Sequence, residues 1–160
     1  MTGFRRGTRI GIDVGRARVG VSRCDPDGML AVPVETVPRS DASIDRIMQI
    51  VAEWEPLEIV VGLPVNMRGA ETLSTADARQ LAEEVQRRSG LDVRMVDERL
   101  STVSAHTALR ASGRSQKKSR SIVDQVAAVV LLQHAVDTEK STGRPAGVLI
   151  PAAQEPPRDV

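Results

Sequence analysis

Aromatic residues are almost absent: Phe4 and Trp54 stand alone, and there is no tyrosine. Modules that read single-stranded nucleic acid by base stacking need aromatic platforms, so that mode is excluded. Cysteine is equally scarce. The lone Cys24 rules out an intrachain disulfide and points to a reducing compartment, hence a cytoplasmic protein. A buried or idle thiol is expected there; only an exposed one would cross-link two chains. His106 and His134 are the only histidines, with no cysteine or second histidine at zinc-ligand spacing. The longest apolar run, 126–132, is too short to span a bilayer, and the opening MTGFRRGTRI lacks the apolar stretch of a secretory signal. Charge of one sign is missing as well. With 22 basic and 21 acidic residues, any affinity for nucleic acid must come from how charge is distributed.

What remains is an ordinary α/β composition in 160 residues, enough for one domain with a real core. Residues 8–14 (TRIGIDV) alternate, with Ile10, Ile12 and Val14 on one face and Gly11, Asp13 and Gly15 on the other, which predicts a strand. A second strand, 19–24, a DPDG turn and a third strand, 29–37, complete an antiparallel meander. Ile44, Ile47, Met48 and Val51 then have helical spacing, and Pro56 marks the exit. The almost continuously apolar 57–63 reads as a parallel strand covered on both faces. Ser74 and Asp77 read as a capping box opening a second helix, with Ala78, Leu81, Ala82 and Val85 inward and Gly90 as its stop. A fifth strand (91–98), a short helix (102–112) and a basic loop (113–120) follow. A helix from 121 to about 138, apolar nearly all round in its middle, is expected to be buried. The expected architecture is one α/β domain over 1–138, with a five-stranded mixed sheet (the meander plus two parallel strands) flanked by helices. A flexible, Pro- and Gly-rich tail is expected over 139–160.

Three acids stand where chemistry is possible. Asp13 lies near the end of the first strand, between two glycines that would leave room for an anion or metal; a turn-forming or solvated acid is the plain alternative. Asp97 and Glu98 close the fifth strand, at the edge where α/β sheets form sites, and alternation alone does not choose between them. Asp124 is either the third residue of a Ser121 capping box or a carboxylate among apolar neighbours, costly unless paired or metal-bound. If three carboxylates converge they repel one another until a cation neutralises them. Mg²⁺ or Mn²⁺ suits such an oxygen cluster, and two ions roughly 4 Å apart would serve phosphodiester hydrolysis. Arg114, Lys117, Lys118 and Arg120 form a basic run just before Asp124, and Arg16 and Arg18 lie just beyond Asp13. Solvated surface is the usual reading of such charge; its position beside candidate ligands favours phosphate contact.

Four blocks together resemble the YqgF/RuvX family: GIDVGRARVGVS (11–22), VVGLPVNMRGAE (60–71), VDERLSTVSA (96–105) and SIVDQVAAVVLLQ (121–133). The resemblance implies a ribonuclease-H-like fold and a three-carboxylate metal site of Asp13, Glu98 and Asp124. The choice of Glu98 over Asp97 rests on it. It also implies that the loop after Gly62 borders the site with Asn66. Relatives often carry an acid where Arg68 stands and a small apolar residue at Ser22, so the rim here is more basic.

The expected function is therefore a metal-dependent nuclease acting on structured RNA, with the 5′ end of the 16S ribosomal RNA precursor as the implied substrate. The basic residues would grip the phosphates. A resolvase of branched DNA is one alternative. A non-catalytic nucleic-acid-binding or transcription-associated protein is another, to be separated by metal titration. A sugar-kinase-like ATPase, suggested by GIDVG, needs a second lobe that this length cannot supply. No heptad or aromatic cluster marks a large interface, so a monomer or weak homodimer is expected.

Overall fold

The computed structural model describes residues 3–66, 68–97 and 116–151, with 116–124 described by backbone alone. The elements are β1 (Arg9–Val14), β2 (Arg18–Cys24), β3 (Ala31–Pro38), α1 (Ser43–Trp54), β4 (Glu58–Leu63), α2 (Leu73–Ser89), β5 (Asp92–Asp97), α3 (Gln116–Thr142) and β6 (Val148–Leu149). They form one mixed sheet in the order β3-β2-β1-β4-β5-β6. The meander β1–β3 is antiparallel, β4 and β5 run parallel to β1, and β6 returns antiparallel to β5.

Alternation along the strands builds two cores. Ile10, Ile12, Val19, Val21, Ile59, Val61, Val93 and Met95 pack under α1 and α2. The opposite face presents Cys24, Val60 and Val96 to Leu131, Leu132, Ala135 and Val136 of α3. Helices on both faces explain why β4 reads as a nearly unbroken apolar run. The predicted stop at Gly90 is a left-handed C-cap (φ 71°), its N–H bonded to the Gln86 carbonyl.

Several expectations are corrected. Among the described residues the sheet has six strands rather than five. The capping box of α2 is formed by Thr72 and Thr75, two residues before the predicted pair, and Thr75 Oγ1 also donates to the Pro64 carbonyl. The last helix starts at Gln116 rather than at residue 121 and ends at Thr142 rather than near 138. Its first turns are Gln, Lys, Ser and Arg; charge suggested a loop, yet straight-chain Lys and Arg are good helix formers. At the other end Glu139 is buried, and beyond it Ile150 packs into the core, so the expected loose tail begins with ordered structure. Residues 98–115 and 152–160, which include the predicted short helix, lie outside the described residues. Among those described, no helix is long and apolar enough to cross a membrane.

Candidate active site

The parallel strands β1, β4 and β5 end at one edge of the sheet, the edge where α/β folds place their sites. Asp13 sits there, half-buried, one residue before β1 ends. Its face follows from its neighbours. Arg9 meets Glu139 of α3 through a 2.9 Å ion pair, and Gly11 abuts Ala128 and Leu132 of the same helix. Alternation therefore assigns Asp13 to the α3 side, shared with Val60 and Val96. Asp97 alternates with Val96 and shares the side of Val93 and Met95, under α1 and α2.

Helix α3 runs antiparallel to β1, and its register against the sheet is fixed at three levels. Glu139 bonds Arg9 at the start of β1; Ala128 lies over Gly11; Gln125 Nε2 donates to Thr36 Oγ1 at 2.8 Å. Thr36 pairs with Gly20, and Gly20 pairs with Asp13. The turn of α3 that carries Gln125 thus crosses the sheet in the row of Asp13. The backbone of Asp124, the preceding residue, lies in that same turn.

This register changes two sequence readings. Ser121 and Asp124 lie inside α3, well past its start at Gln116, so the pair does not cap an N-terminus. The space at Gly11 is filled by protein atoms. A Cβ there would come within 2.6 Å of Ser22 Oγ, 2.9 Å of Leu132 Cβ and 3.1 Å of the Ala128 carbonyl oxygen. Glycine is what lets α3 approach. Ser22, the other departure from the family pattern, uses its buried hydroxyl to donate to that carbonyl at 2.7 Å.

The predicted phosphate-binding residues are placed as follows. Arg16 is exposed in the β1–β2 turn, Arg18 opens β2 half-buried, and Arg68 is exposed in the loop after β4. Asn66 shapes that loop, its side-chain oxygen accepting the N–H groups of Arg68 and Ala70 at 2.9 Å each. Lys117, Lys118 and Arg120 stand on the first turns of α3 rather than in a loop. Glu98 and Arg114 lie outside the described residues. Among the described residues no three His, Cys, Asp or Glu side chains are grouped to hold a metal ion; of the three expected ligands, only Asp13 has a described side chain.

Both aromatics are engaged internally. Arg9 stacks over Phe4 at 4.3 Å and Arg23 over Trp54 at 4.0 Å, which leaves base stacking without a platform. Cys24 is buried and accepts the Arg9 N–H, so the exposed-thiol alternative does not hold; burial pushes its pKa up. His134 is exposed on α3.

Sequence reasoning missed one pair near this edge. Arg39 binds Asp77 through two 2.8 Å hydrogen bonds, and its Nη1 also donates to the Gly15 carbonyl at 3.0 Å. The guanidinium holds the Asp77 carboxyl below the usual aspartate range. The two residues are 38 positions apart and no local pattern links them.

The sequence pattern of a family described as Holliday junction resolvase, RuvX, matches residues 7–138. The chain belongs to the RuvX family. Relatives named "Putative pre-16S rRNA nuclease" include one from Leifsonia xyli, 54% identical over 146 residues, covering 90% of this chain and 94% of its own. Another, from Clavibacter sepedonicus, is 50% identical over 151 residues, covering 92% and 94%. The Streptomyces coelicolor relative is 51% identical over 147 residues, covering 90% and 88%. Among solved structures, Thermus thermophilus RuvC in complex with a Holliday junction substrate superposes with a TM-score of 0.56 at 18% identity, over 87% of this chain and 99% of that one. That likeness gives the RuvX chain the resolvase-type, ribonuclease-H-like fold.

Proposed function

We propose that this RuvX protein is a divalent-metal-dependent nuclease that matures the 5′ end of the 16S ribosomal RNA precursor in the cytoplasm, with Asp13, Glu98 and Asp124 as its catalytic carboxylates. The observation that carries the reading is the register of α3, which sets the turn containing Asp124 in the row of Asp13. Asp97 shares the side of Val93 and Met95, away from α3, so it does not face Asp13, and the family resemblance supports Glu98 as the third acid. Substrate identity is supported by the relatives' shared name at about half identity across nearly the whole chain.

The donor set fits Mg²⁺ or Mn²⁺: all oxygen, anionic, and at a half-buried strand end. Two bound ions would supply an activated water and charge stabilisation at the leaving oxygen. The chain's own part is to hold the carboxylates in place and to grip phosphates. Arg16, Arg18 and Arg68 suit that role, with Asn66 shaping its loop, Lys117, Lys118 and Arg120 on the first turns of α3, and Arg114 just before them in sequence. A single site suffices to trim an RNA end, so a monomer or weakly associating dimer is adequate; resolving a junction calls for two sites related by a two-fold axis.

The test is cleavage of precursor 16S RNA and of a four-way DNA junction side by side, with and without Mn²⁺. Wild type is expected to cut the RNA only with metal, and Asp13→Asn to lower kcat by at least about 100-fold, the scale of losing a catalytic electrostatic group. Symmetric paired cuts in the junction by a tight dimer, with the RNA left intact, would overturn the reading.

A further inference from the structure

We propose that Arg39 and Asp77 are positioning residues for the reaction, a strap by which α2 fixes the β1–β2 turn that follows Asp13 and carries Arg16. The proposal rests on the reading of Asp13 as catalytic. The turn is a tight one, closed by the Gly15 N–H on the Arg18 carbonyl at 2.8 Å. Gly15 is half-buried while Arg16 and Ala17 are exposed, so packing does little to set its position. Arg39 does it instead, from both its side chain and its backbone. Its Nη1 donates to the Gly15 carbonyl at 3.0 Å, and its N–H donates to the Ala17 carbonyl at 2.9 Å. Asp77 holds the guanidinium by a fork-to-fork pair, two parallel bonds of 2.8 Å, which fixes the plane as well as the position.

The anchor is rigid. Asp77 stands in the second turn of α2, directly after the Thr72–Thr75 capping box. Thr75 Oγ1 from that same box donates to the Pro64 carbonyl, the first residue after β4. The first two turns of α2 therefore brace two of the segments that leave the site edge, the one after β1 and the one after β4. Arg39 and Asp77 retain 27% and 38% side-chain exposure, and a pair that exposed adds little to global stability. What the geometry supplies is placement, and a misplacement of about 1 Å can cost on the order of 100-fold in rate.

Asp77→Asn and Arg39→Lys both break the fork. Each is expected to lower kcat on precursor RNA by roughly 10- to 100-fold with KM changed less than about threefold. Amide hydrogen exchange at Gly15 and Arg39 should accelerate in both variants, a readout independent of activity. Asp77→Glu, which keeps the carboxylate, should recover most of kcat. The control is Glu35→Gln, which removes a comparable fork to Arg46 on the sheet face away from α3 and should leave kcat unchanged. Wild-type kcat in Asp77→Asn would overturn the proposal, as would unchanged exchange at Gly15 and Arg39 or a loss that merely follows the folded fraction. If wild type and Asp13→Asn are equally inactive on RNA, the nuclease reading fails, and unchanged exchange would still sink the strap on its own.

Discussion

At the scale of single residues, two positions carry consequences that composition hides. Gly11 stands where β1 and α3 touch, and the atoms facing a new Cβ are a Leu Cβ, a helix carbonyl and the Ser22 hydroxyl, which can turn away only by giving up its bond to Ala128. Gly11→Ala should therefore destabilise by about 1–3 kcal/mol through overpacking, read as a lower urea midpoint with an unchanged slope. Glu139 is the second. Its carboxylate accepts from Arg5 N at 2.9 Å, Arg5 Nη2 at 2.6 Å and Arg9 Nη2 at 2.9 Å, with its side chain 3% exposed and that of Arg9 2%. Glu139→Ala would strand the buried Arg9 guanidinium and cost about 3–5 kcal/mol. Burial pushes the Glu139 carboxyl up, but the hydrogen bonds from Arg5 and the charges of Arg9 and Arg5 outweigh it, and the net shift is downward from the ordinary 4.5. A carboxylate depressed in the folded state gives its full stabilisation above the unfolded value and loses it as pH falls through the folded one. Thermal melts should accordingly show wild type losing stability below pH 4.5 more steeply than Glu139→Gln, which has no proton to take up there.

At the scale of elements, the segment after α3 gives the sharpest contrast between composition and structure. Its proline and glycine content suggests a loose tail. Yet β6 pairs with β5, the Ile150 N–H donates to the Val93 carbonyl, and Gln86 Nε2 donates to the Ile150 carbonyl at 2.8 Å. A chain ending at Thr142 would expose the core around Ile150 and leave the largely buried Gln86 amide unpaired. Burial of one large aliphatic side chain and one lost buried hydrogen bond together predict a loss of about 2–4 kcal/mol, measurable by urea denaturation of the two lengths side by side. Equal stability would return the whole segment to the loose-tail reading. The start of α3 errs in the opposite direction: the basic run 113–120 reads as a loop, yet the helix includes it from Gln116, since Lys, Arg and Gln impose no break.

Across the whole molecule, what the sequence determined by itself was whatever depends on period and punctuation. Alternation in residues 8–14, near-continuous apolarity in 57–63, helical spacing from Ile44 to Val51 and the stop at Gly90 fixed the meander, the parallel strands and both early helices. Each follows from local rules of pleat, pitch and positive φ, which need no partner. Asp13, by the same logic, was legible as an acid at a strand end. Glu98 was separable from Asp97 only by family resemblance, because alternation names two faces without saying which one the last helix covers. Only the tertiary structure decided that α3 lies over Gly11 and Ser22, and this register gives the face of Asp13 and the row of Asp124 their meaning. It alone joined Arg39 to Asp77 and buried Glu139 between Arg5 and Arg9. Those pairs connect residues from 38 to 134 positions apart, and a hydrogen bond across such a span leaves no periodic trace in the chain. It exists because packing two helices against a twisted sheet brings the groups within 3 Å, where pairing is cheaper than leaving the charges unmet.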